Sequence, residues 1–164
     1  MKIIEYKIIR NDLRHPQLEI KHEYKWNGKD FKSYDNIVQM MKDCFDMHKL
    51  NEEYVYVLSF DFDLNLLGVF ELSHGTTKIS LIENKELYTY LLLSGAEEFV
   101  VLHNHPSGTL DISNDDKNIT SNVNAFSAIM NIKMLESIIV SKNGYKLIMD
   151  EQLNEFRELY KNKR

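Results

Sequence analysis

Two histidines separated by one residue, followed by a serine and an aspartate, are the residues of this chain best suited to chemistry. His103 and His105 stand in the segment HNHPSG, and Ser113 and Asp116 follow it. Side chains two residues apart on a strand point to the same side, so both imidazoles can face one point. Two neutral imidazoles and one carboxylate suit Zn²⁺, with a fourth position open to water. The spacing therefore predicts a zinc site formed by His103, His105 and Asp116.

Each half of this pattern also has a purely structural interpretation. A His-x-His pair at the end of a strand can be ordinary polar surface. Ser113 and Asp116 also fit a capping box, in which the serine caps a helix and the acidic residue lies near the positive end of that helix. The two halves together are harder to explain by structure alone, which favours the metal site.

The elements that must position these residues alternate between strands and helices in the second half of the chain. The wholly apolar run 99–102 directly precedes His103 and is typical of a central buried strand. Further strands are predicted at residues 2–10, 18–26, 54–62, 66–73, 137–141 and 145–149. Helices are predicted at residues 84–93, 114–130 and 151–161, and another begins after Ser33. The strand at 18–26 alternates as a half-buried strand does, and Asn-Gly pairs at 27–28 and 143–144 predict type I′ turns.

Length and composition limit the architecture. The chain has 164 residues, of which 43% are hydrophobic and 27% charged, and this indicates one compact unit with a single core. We expect an α+β fold, or a three-layer α/β/α sandwich, with a mixed, largely antiparallel sheet. Residues 1–32 are expected to form an N-terminal strand and hairpin decoration, and residues 33–164 the main domain.

Composition also excludes several classes of protein. The single cysteine, Cys44, excludes an internal disulfide framework and four-cysteine zinc modules. The apolar runs are too short to span a membrane and the N-terminus lacks a signal-peptide pattern, so we expect a cytoplasmic protein. A net charge of −5 gives no overall attraction to nucleic acid. Lys21, Lys25, Trp26 and Lys29 give only a weak signature of contact with single-stranded nucleic acid, and an ordinary exposed hairpin is the alternative.

The motif residues also carry a family resemblance. The pattern His103-x-His105-Pro-x₆-Ser113-x₂-Asp116 resembles the JAMM motif of the JAB/MPN metalloenzymes. The segments HNHPSG and FELSHGTTKISL are similar to the corresponding sequences of the RadC-like branch. The resemblance covers about residues 33–149. It implies a cytidine-deaminase-like JAB/MPN fold, a Zn²⁺ cofactor and hydrolysis of a peptide or isopeptide bond by metal-activated water. The implied substrate is a peptide or a protein conjugate.

The family pattern requires a glutamate upstream of the histidines, and Glu71 in GVFELSHGT stands at the matching place. A lone carboxylate in an apolar strand supports Glu71, although an edge-strand glutamate facing water is the alternative. The resemblance makes Glu71 the general base and Ser113 a hydrogen-bond donor to the oxyanion or the water. We expect Glu71 to face the metal from a strand adjacent to that of His103. His74 is expected to be structural or solvent-facing.

The chain departs from the RadC pattern at residues 84–86, 108–113 and 136–137, which bears on the substrate pocket more than on the metal ligands. The helix-hairpin-helix region with which full-length RadC-like proteins bind DNA does not fit into residues 1–53. The alternative function is a non-catalytic or DNA-associated module linked to DNA repair. Completeness of the ligand set favours the hydrolase, because non-catalytic members of the family typically lose a histidine or the aspartate.

Overall fold

A computed structural model describes residues 1–75 and 84–150 of the chain. Within these residues the chain forms seven strands, three α-helices and one short 3₁₀ helix at Met47–Lys49. The strands are β1 (Lys2–Arg10), β2 (Pro16–Lys25), β3 (Glu53–Phe60), β4 (Leu66–Gly75), β5 (Glu98–Asn104), β6 (Lys133–Ser141) and β7 (Gly144–Leu147). The α-helices are α1 (Tyr34–Phe45), α2 (Asn84–Ser94) and α3 (Asn114–Met130). The helix predicted over residues 151–161 lies outside the described residues.

All seven strands belong to one mixed sheet, in the order β2-β1-β4-β3-β5-β6-β7. Neighbouring strands are antiparallel except for two parallel pairs, β1 with β4 and β5 with β6. The apolar run at 99–102 lies in β5, where every one of its side chains is buried. The predicted α+β class with a mixed, largely antiparallel sheet is therefore confirmed.

The two faces of the sheet carry separate apolar cores, because successive side chains of a strand point to opposite faces. On one face, here called the α1 face, sheet residues such as Tyr56 and Leu102 pack with Met40 and Met41 of α1. On the other, the α2/α3 face, a second set of sheet residues packs with both remaining helices. The members of this second core include Val55, Val57, Phe99, Val101, Leu87, Leu91 and Val123. Helices thus cover both faces of the sheet.

The helices begin and end as their sequences dictate. Ser33 caps α1 by accepting the Asn36 N–H at 3.3 Å, as predicted. Asp46 and Asn131 end α1 and α3 in the left-handed conformation, which short polar side chains tolerate. Among the described residues, no helix is long and apolar enough to cross a membrane.

The N-terminal hairpin differs from its prediction in its burial and its turn. β2 is an edge strand whose side chains are mostly exposed, and Ile20 retains 48% of its accessible surface, so the half-buried pattern is wrong. The type I′ turn at Asn27-Gly28 is also wrong, because neither residue has the positive φ that this turn needs and the chain continues into α1. The second hairpin is present, but its loop residues are Lys142 and Asn143, and Asn143 lacks a positive φ, so the type I′ turn predicted at Asn143-Gly144 is wrong as well.

Trp26 lies in the core instead of on the surface of the hairpin. It is 6% exposed, and its ring stacks on Phe31 with 5.3 Å between the centroids. Its Nε1–H donates to Asp43 at 2.9 Å. The ring is consequently not a platform on which a nucleic-acid base could stack, which removes the aromatic part of the signature for single-strand binding.

A partly buried charge cluster joins β2 to β1 and β4. Lys21 Nζ lies 2.8 Å from a carboxylate oxygen of Glu5 and 2.8 Å from one of Glu71, and the Glu5 side chain is only 3% exposed. Burial lowers the pKa of Lys21, but its hydrogen bonds to the two carboxylates outweigh burial and raise that pKa above its ordinary value. Burial and the neighbouring Glu5 raise the pKa of Tyr24, whose hydroxyl donates to Glu5, to about 12.

Replacing the cation of this cluster should destabilise the protein. Lys21→Met leaves the Glu5 carboxylate buried without its cation, so we expect the free energy of unfolding to fall by on the order of 3 kcal/mol. Urea unfolding at pH 7 measures this loss. The double variant Lys21→Met/Glu5→Gln should recover part of it, since the buried charge is then removed as well. A single variant as stable as the wild type would show that the cluster contributes nothing.

The difference in the free energy of unfolding between the wild type and Lys21→Met should depend on pH. Burial raises the pKa of Glu71, but the hydrogen bonds with Lys21 and His74 lower it by more than burial raises it. The pKa of Glu71 therefore lies below its ordinary value of 4.5. A carboxyl group with a depressed folded pKa stabilises the protein above its unfolded pKa and loses that contribution as pH falls through the folded pKa. The gap in stability between wild type and Lys21→Met should therefore be full above pH 4.5 and narrow in acid.

Candidate metal centre

The two histidines lie at the C-terminal end of β5. His103 pairs with Val55 of β3, whose side chain belongs to the α2/α3 core, so the His103 side chain points to the same face. His105, two residues later, donates its backbone N–H to Val140 of β6 at 3.0 Å. Gly108, at φ 82°, then donates its N–H to the carbonyl of His105, and the chain turns toward α3. The β5 strand and this turn thus fix both imidazoles.

The third ligand candidate comes from the first turn of α3. Ser113 caps the helix and accepts the Asp116 N–H at 3.1 Å. Asp116 Oδ2 in turn accepts the backbone N–H of Ser113 at 2.8 Å and its hydroxyl at 2.7 Å. The capping box is therefore present, and it also orients the carboxylate, so the structural and the metal-binding interpretation of this pair are compatible.

The ligand atoms of these residues converge. His103 Nε2 lies 3.2 Å from His105 Nε2 and 3.5 Å from Asp116 Oδ1, while His105 Nε2 lies 3.9 Å from Asp116 Oδ2. A tetrahedral zinc ion with bonds of about 2.0–2.2 Å spaces its ligands about 3.3–3.6 Å apart. The donor set and its spacing fit a divalent metal ion. Among the residues described, this is the one group of three such side chains that could hold one.

The surroundings of His103 favour the protonation state that a metal ligand needs. Its side chain is 3% exposed, and that burial lowers the pKa of the imidazole. The negative charge of Asp116 opposes this effect without overcoming it, and His105 adds to the lowering. His103 consequently stays neutral at physiological pH, and the neutral imidazole is the form that coordinates a metal.

A cavity of about 260 Å³ is lined by two of the three ligand candidates, His105 and Asp116. Its lining is acidic and polar, and it includes Glu53, His105, Asp111, Ser113, Asp115 and Asp116. A molecule that enters this cavity can therefore reach His105 and Asp116, as a catalytic site requires.

Glu53 is a residue of the site that the sequence analysis missed. It begins β3 two positions before Val55, so its side chain lies on the same face as that of His103. Its Oε2 atom is buried and has no hydrogen-bond partner among the residues described. An unpaired buried carboxylate oxygen is costly and needs an explanation, which a metal ion or its water would supply. The signal in the sequence is the pair Glu52-Glu53 at the entry to an apolar strand.

Glu71 does not lie where the sequence predicted it. Strand β3 separates β4, which carries Glu71, from β5, so the two are not adjacent. Glu71 pairs with Tyr56, and Tyr56 pairs with Leu102, which puts the Glu71 side chain on the α1 face, opposite to His103. The expectation that Glu71 faces the metal from an adjacent strand is wrong.

The carboxylate of Glu71 is instead held by Lys21 and His74, which lie on its own face of the sheet. Lys21 Nζ lies 2.8 Å from Oε2, and His74 Nδ1 lies 2.8 Å from Oε1. His74 is half exposed, with 53% of its side-chain surface accessible, and stacks on Tyr54 at 5.0 Å between ring centroids. His74 is therefore structural and solvent-facing, as expected, and Glu71 has a structural role beside it.

Comparisons with known proteins find a matching family and several relatives. The family described as RadC-like JAB domain matches residues 31–153. A UPF0758 protein of Thermotoga maritima is 32% identical over 117 residues, which are 71% of this chain and 53% of that protein. A UPF0758 protein of Clostridium acetobutylicum is 29% identical over 107 residues (65% and 47%), and one of Chlorobium chlorochromatii 33% over 95 residues (58% and 43%).

The chain spans about half the length of the curated relatives that it matches. The matched region contains β3, β5 and α3, and hence all three ligand candidates and Glu53. Because this match extends over most of its length, the chain belongs to the RadC-like JAB domain family.

Proposed function

We propose that this protein is a zinc-dependent hydrolase of the JAMM type that cleaves a peptide or isopeptide bond. The observation that carries the proposal is the convergence of His103, His105 and Asp116 beside a cavity that Glu53 also lines. Family membership supports a JAMM-type metallohydrolase-like domain. The substrate that we propose is a peptide or a protein conjugate.

His103, His105 and Asp116 would hold the metal ion, and the fourth position would open toward the cavity. Bound zinc supplies a positive charge that polarises a carbonyl group and lowers the pKa of a coordinated water to about 7. Asp116 Oδ2 is occupied by its two hydrogen bonds from Ser113, which leaves Oδ1, the oxygen nearest to His103 Nε2, to coordinate. The capping box thereby fixes which oxygen binds.

Glu53 is the general base in this proposal. Its unpartnered Oε2 can accept a proton from the attacking water, and the resulting carboxylic acid can return that proton to the leaving amine nitrogen. The Ser113 hydroxyl donates a hydrogen bond to Asp116 Oδ2, with 2.7 Å between the two oxygens. The oxyanion-donor role of Ser113 requires that this hydroxyl turn toward the substrate, and it stays a prediction.

Metal content is the first test. Purified protein should contain or take up one equivalent of zinc, and His103→Ala and Asp116→Asn should each lose it, because three protein ligands are needed to hold the ion. Atomic emission spectroscopy on dialysed protein measures the stoichiometry. His74→Ala is the matched control, since this histidine lies on the opposite face and should leave zinc binding unchanged. Full zinc loading in His103→Ala would exclude the proposed site.

A pair of glutamate variants tests the general base. Glu53→Gln should lower the hydrolysis rate by about 10²–10⁴-fold with zinc stoichiometry intact, because an amide keeps the shape of the side chain but cannot accept the proton. Glu71→Gln should hydrolyse at the wild-type rate at a temperature where it is folded, since its partners are Lys21 and His74. The opposite result, with Glu71→Gln inactive and Glu53→Gln active, would restore the assignment that the sequence suggested.

Ser113 can be assigned by separating stability from turnover. Ser113→Ala should lower the free energy of unfolding by about 0.5–2 kcal/mol, because the cap of α3 is lost. It should also weaken zinc binding, because Asp116 loses one of the two hydrogen bonds that orient it. Thermal melts and zinc competition with a chelator measure the two effects, and Ser113→Thr should retain both. A loss of about 10²–10³-fold in turnover at full zinc loading would instead assign the oxyanion role.

A substrate screen separates the hydrolase from its alternative. Zinc-loaded protein is incubated with short peptides, ubiquitin-like conjugates and nucleic acids, and both cleavage and binding are recorded. Cleavage of a peptide or conjugate that Glu53→Gln abolishes supports the proposal. Binding of DNA without cleavage of any substrate would favour the non-catalytic, DNA-associated module.

A further inference from the structure

Asn104, the residue between the two histidines, makes two hydrogen bonds to the start of β3. Its Oδ1 accepts the backbone N–H of Tyr54 at 2.7 Å, and its Nδ2–H donates to the backbone carbonyl of Glu52 at 2.8 Å. The residue is 2% exposed, so water does not compete for these bonds. Both partners are fifty or more residues away in the chain, and no metal ligand takes part in either bond.

These two bonds hold the peptide groups on either side of Glu53. The carbonyl of Glu52 belongs to the peptide that precedes Glu53, and the N–H of Tyr54 belongs to the peptide that follows it. Because peptide groups are planar, fixing both planes fixes φ and ψ of Glu53, and with them the direction in which its side chain leaves the backbone. Asn104 therefore determines the direction in which the Cα–Cβ bond of Glu53 points.

Glu53 is the first residue of β3, and it pairs with Gly75 of β4, so its backbone lacks a described strand partner only on the β5 side. The last residues paired between β3 and β5 are Val55 and His103, so the Asn104 side chain continues the contact between the two strands beyond the ladder. At the carboxylate end of the side chain, the buried Oε2 atom of Glu53 has no hydrogen-bond partner among the described residues. No such bond therefore holds the side chain at that atom.

We propose that Asn104 is a positioning residue, which holds Glu53 over the metal site by clamping its two flanking peptide groups. The catalytic consequence rests on the proposed function, whereas the clamp itself does not. A serine or threonine at this position has one side-chain oxygen and lacks an amide, so it cannot accept from Tyr54 and donate to Glu52 with the same geometry.

The clamp can be tested without metal or substrate. Protein labelled with [5-¹³C]glutamate gives a carboxyl signal for Glu53, assigned by its absence in Glu53→Gln. In Asn104→Ser this signal should move toward the position of a solvated glutamate, and the Tyr54 amide should exchange with solvent about ten-fold faster or more, because its acceptor is gone. Asn104→Asp, which has the same shape but no donor for Glu52, provides the same measurement if the serine variant does not fold.

The matched control is Ser59→Ala, which removes a different buried polar contact of β3. Ser59 is fully buried and hydrogen-bonds with the hydroxyl of Tyr90 at 2.8 Å, six residues along the strand from Glu53. Ser59→Ala should lower the free energy of unfolding and leave the Glu53 carboxyl signal and the Tyr54 amide exchange rate at their wild-type values. The proposal would be overturned if Asn104→Ser kept the wild-type Glu53 signal and Tyr54 exchange rate. It would also be overturned if Ser59→Ala changed these two quantities as much as Asn104→Ser does.

Hydrolysis then reads out the consequence of the clamp. With the zinc-loaded protein, Asn104→Ser should lower kcat by about 10²-fold while KM and zinc stoichiometry stay at wild-type values, because a displaced base affects the reaction and not substrate binding. An unchanged kcat together with a displaced Glu53 signal would overturn the catalytic part of the inference. A wild-type protein that hydrolyses nothing would refute the proposed function instead, and the carboxyl signal would still decide the clamp.

Discussion

The antiparallel pairing of β3 with β5 is the constraint on which the site depends. With Val55 opposite His103, alternation along the two strands turns Glu53 and both imidazoles toward the helices α2 and α3. A shift of this register by one residue would send the carboxylate to one face and the imidazoles to the other. The hydrogen bonds of Asn104 with Tyr54 and Glu52 oppose such a shift, because they join the two strands at this register.

The sheet also separates two sets of charges with different roles. On the α1 face, Lys21 lies between two carboxylates and offsets one of their two charges, so this cluster joins strands. On the α2/α3 face, the carboxylates of Glu53 and Asp116 lie beside neutral His103. Carboxylates without a neighbouring lysine or arginine among the described lining residues attract a cation, in agreement with the donor set of the candidate metal centre.

The sequence predicted the parts of this protein that depend on local pattern. The His103 to Asp116 segment was recognised because its ligands lie within one strand, one turn and one helix start. Glu71 was misassigned because its position depends on strand order and register, which are non-local: β3 lies between β4 and β5. Leu72 is an extra residue between the pairs Val55–Ser73 and Tyr56–Glu71, which breaks simple alternation. The half-buried pattern of β2 failed for a related reason, since hydrophobic alternation does not reveal that a strand lies at the edge of a sheet.

The location of the two histidines on a buried central strand has a thermodynamic consequence for metal exchange. In small zinc modules the ion organises the chain, and much of its binding energy is spent on folding. Here β5 is held by strands on both sides and by apolar cores on both faces, and the Asp116 carboxylate is already oriented by the cap of α3. An ion that bound here would thus meet ligands that have already lost most of their conformational entropy. Its removal would cost coordination bonds and not the fold, so the proposed function predicts a folded metal-free form that can be loaded again.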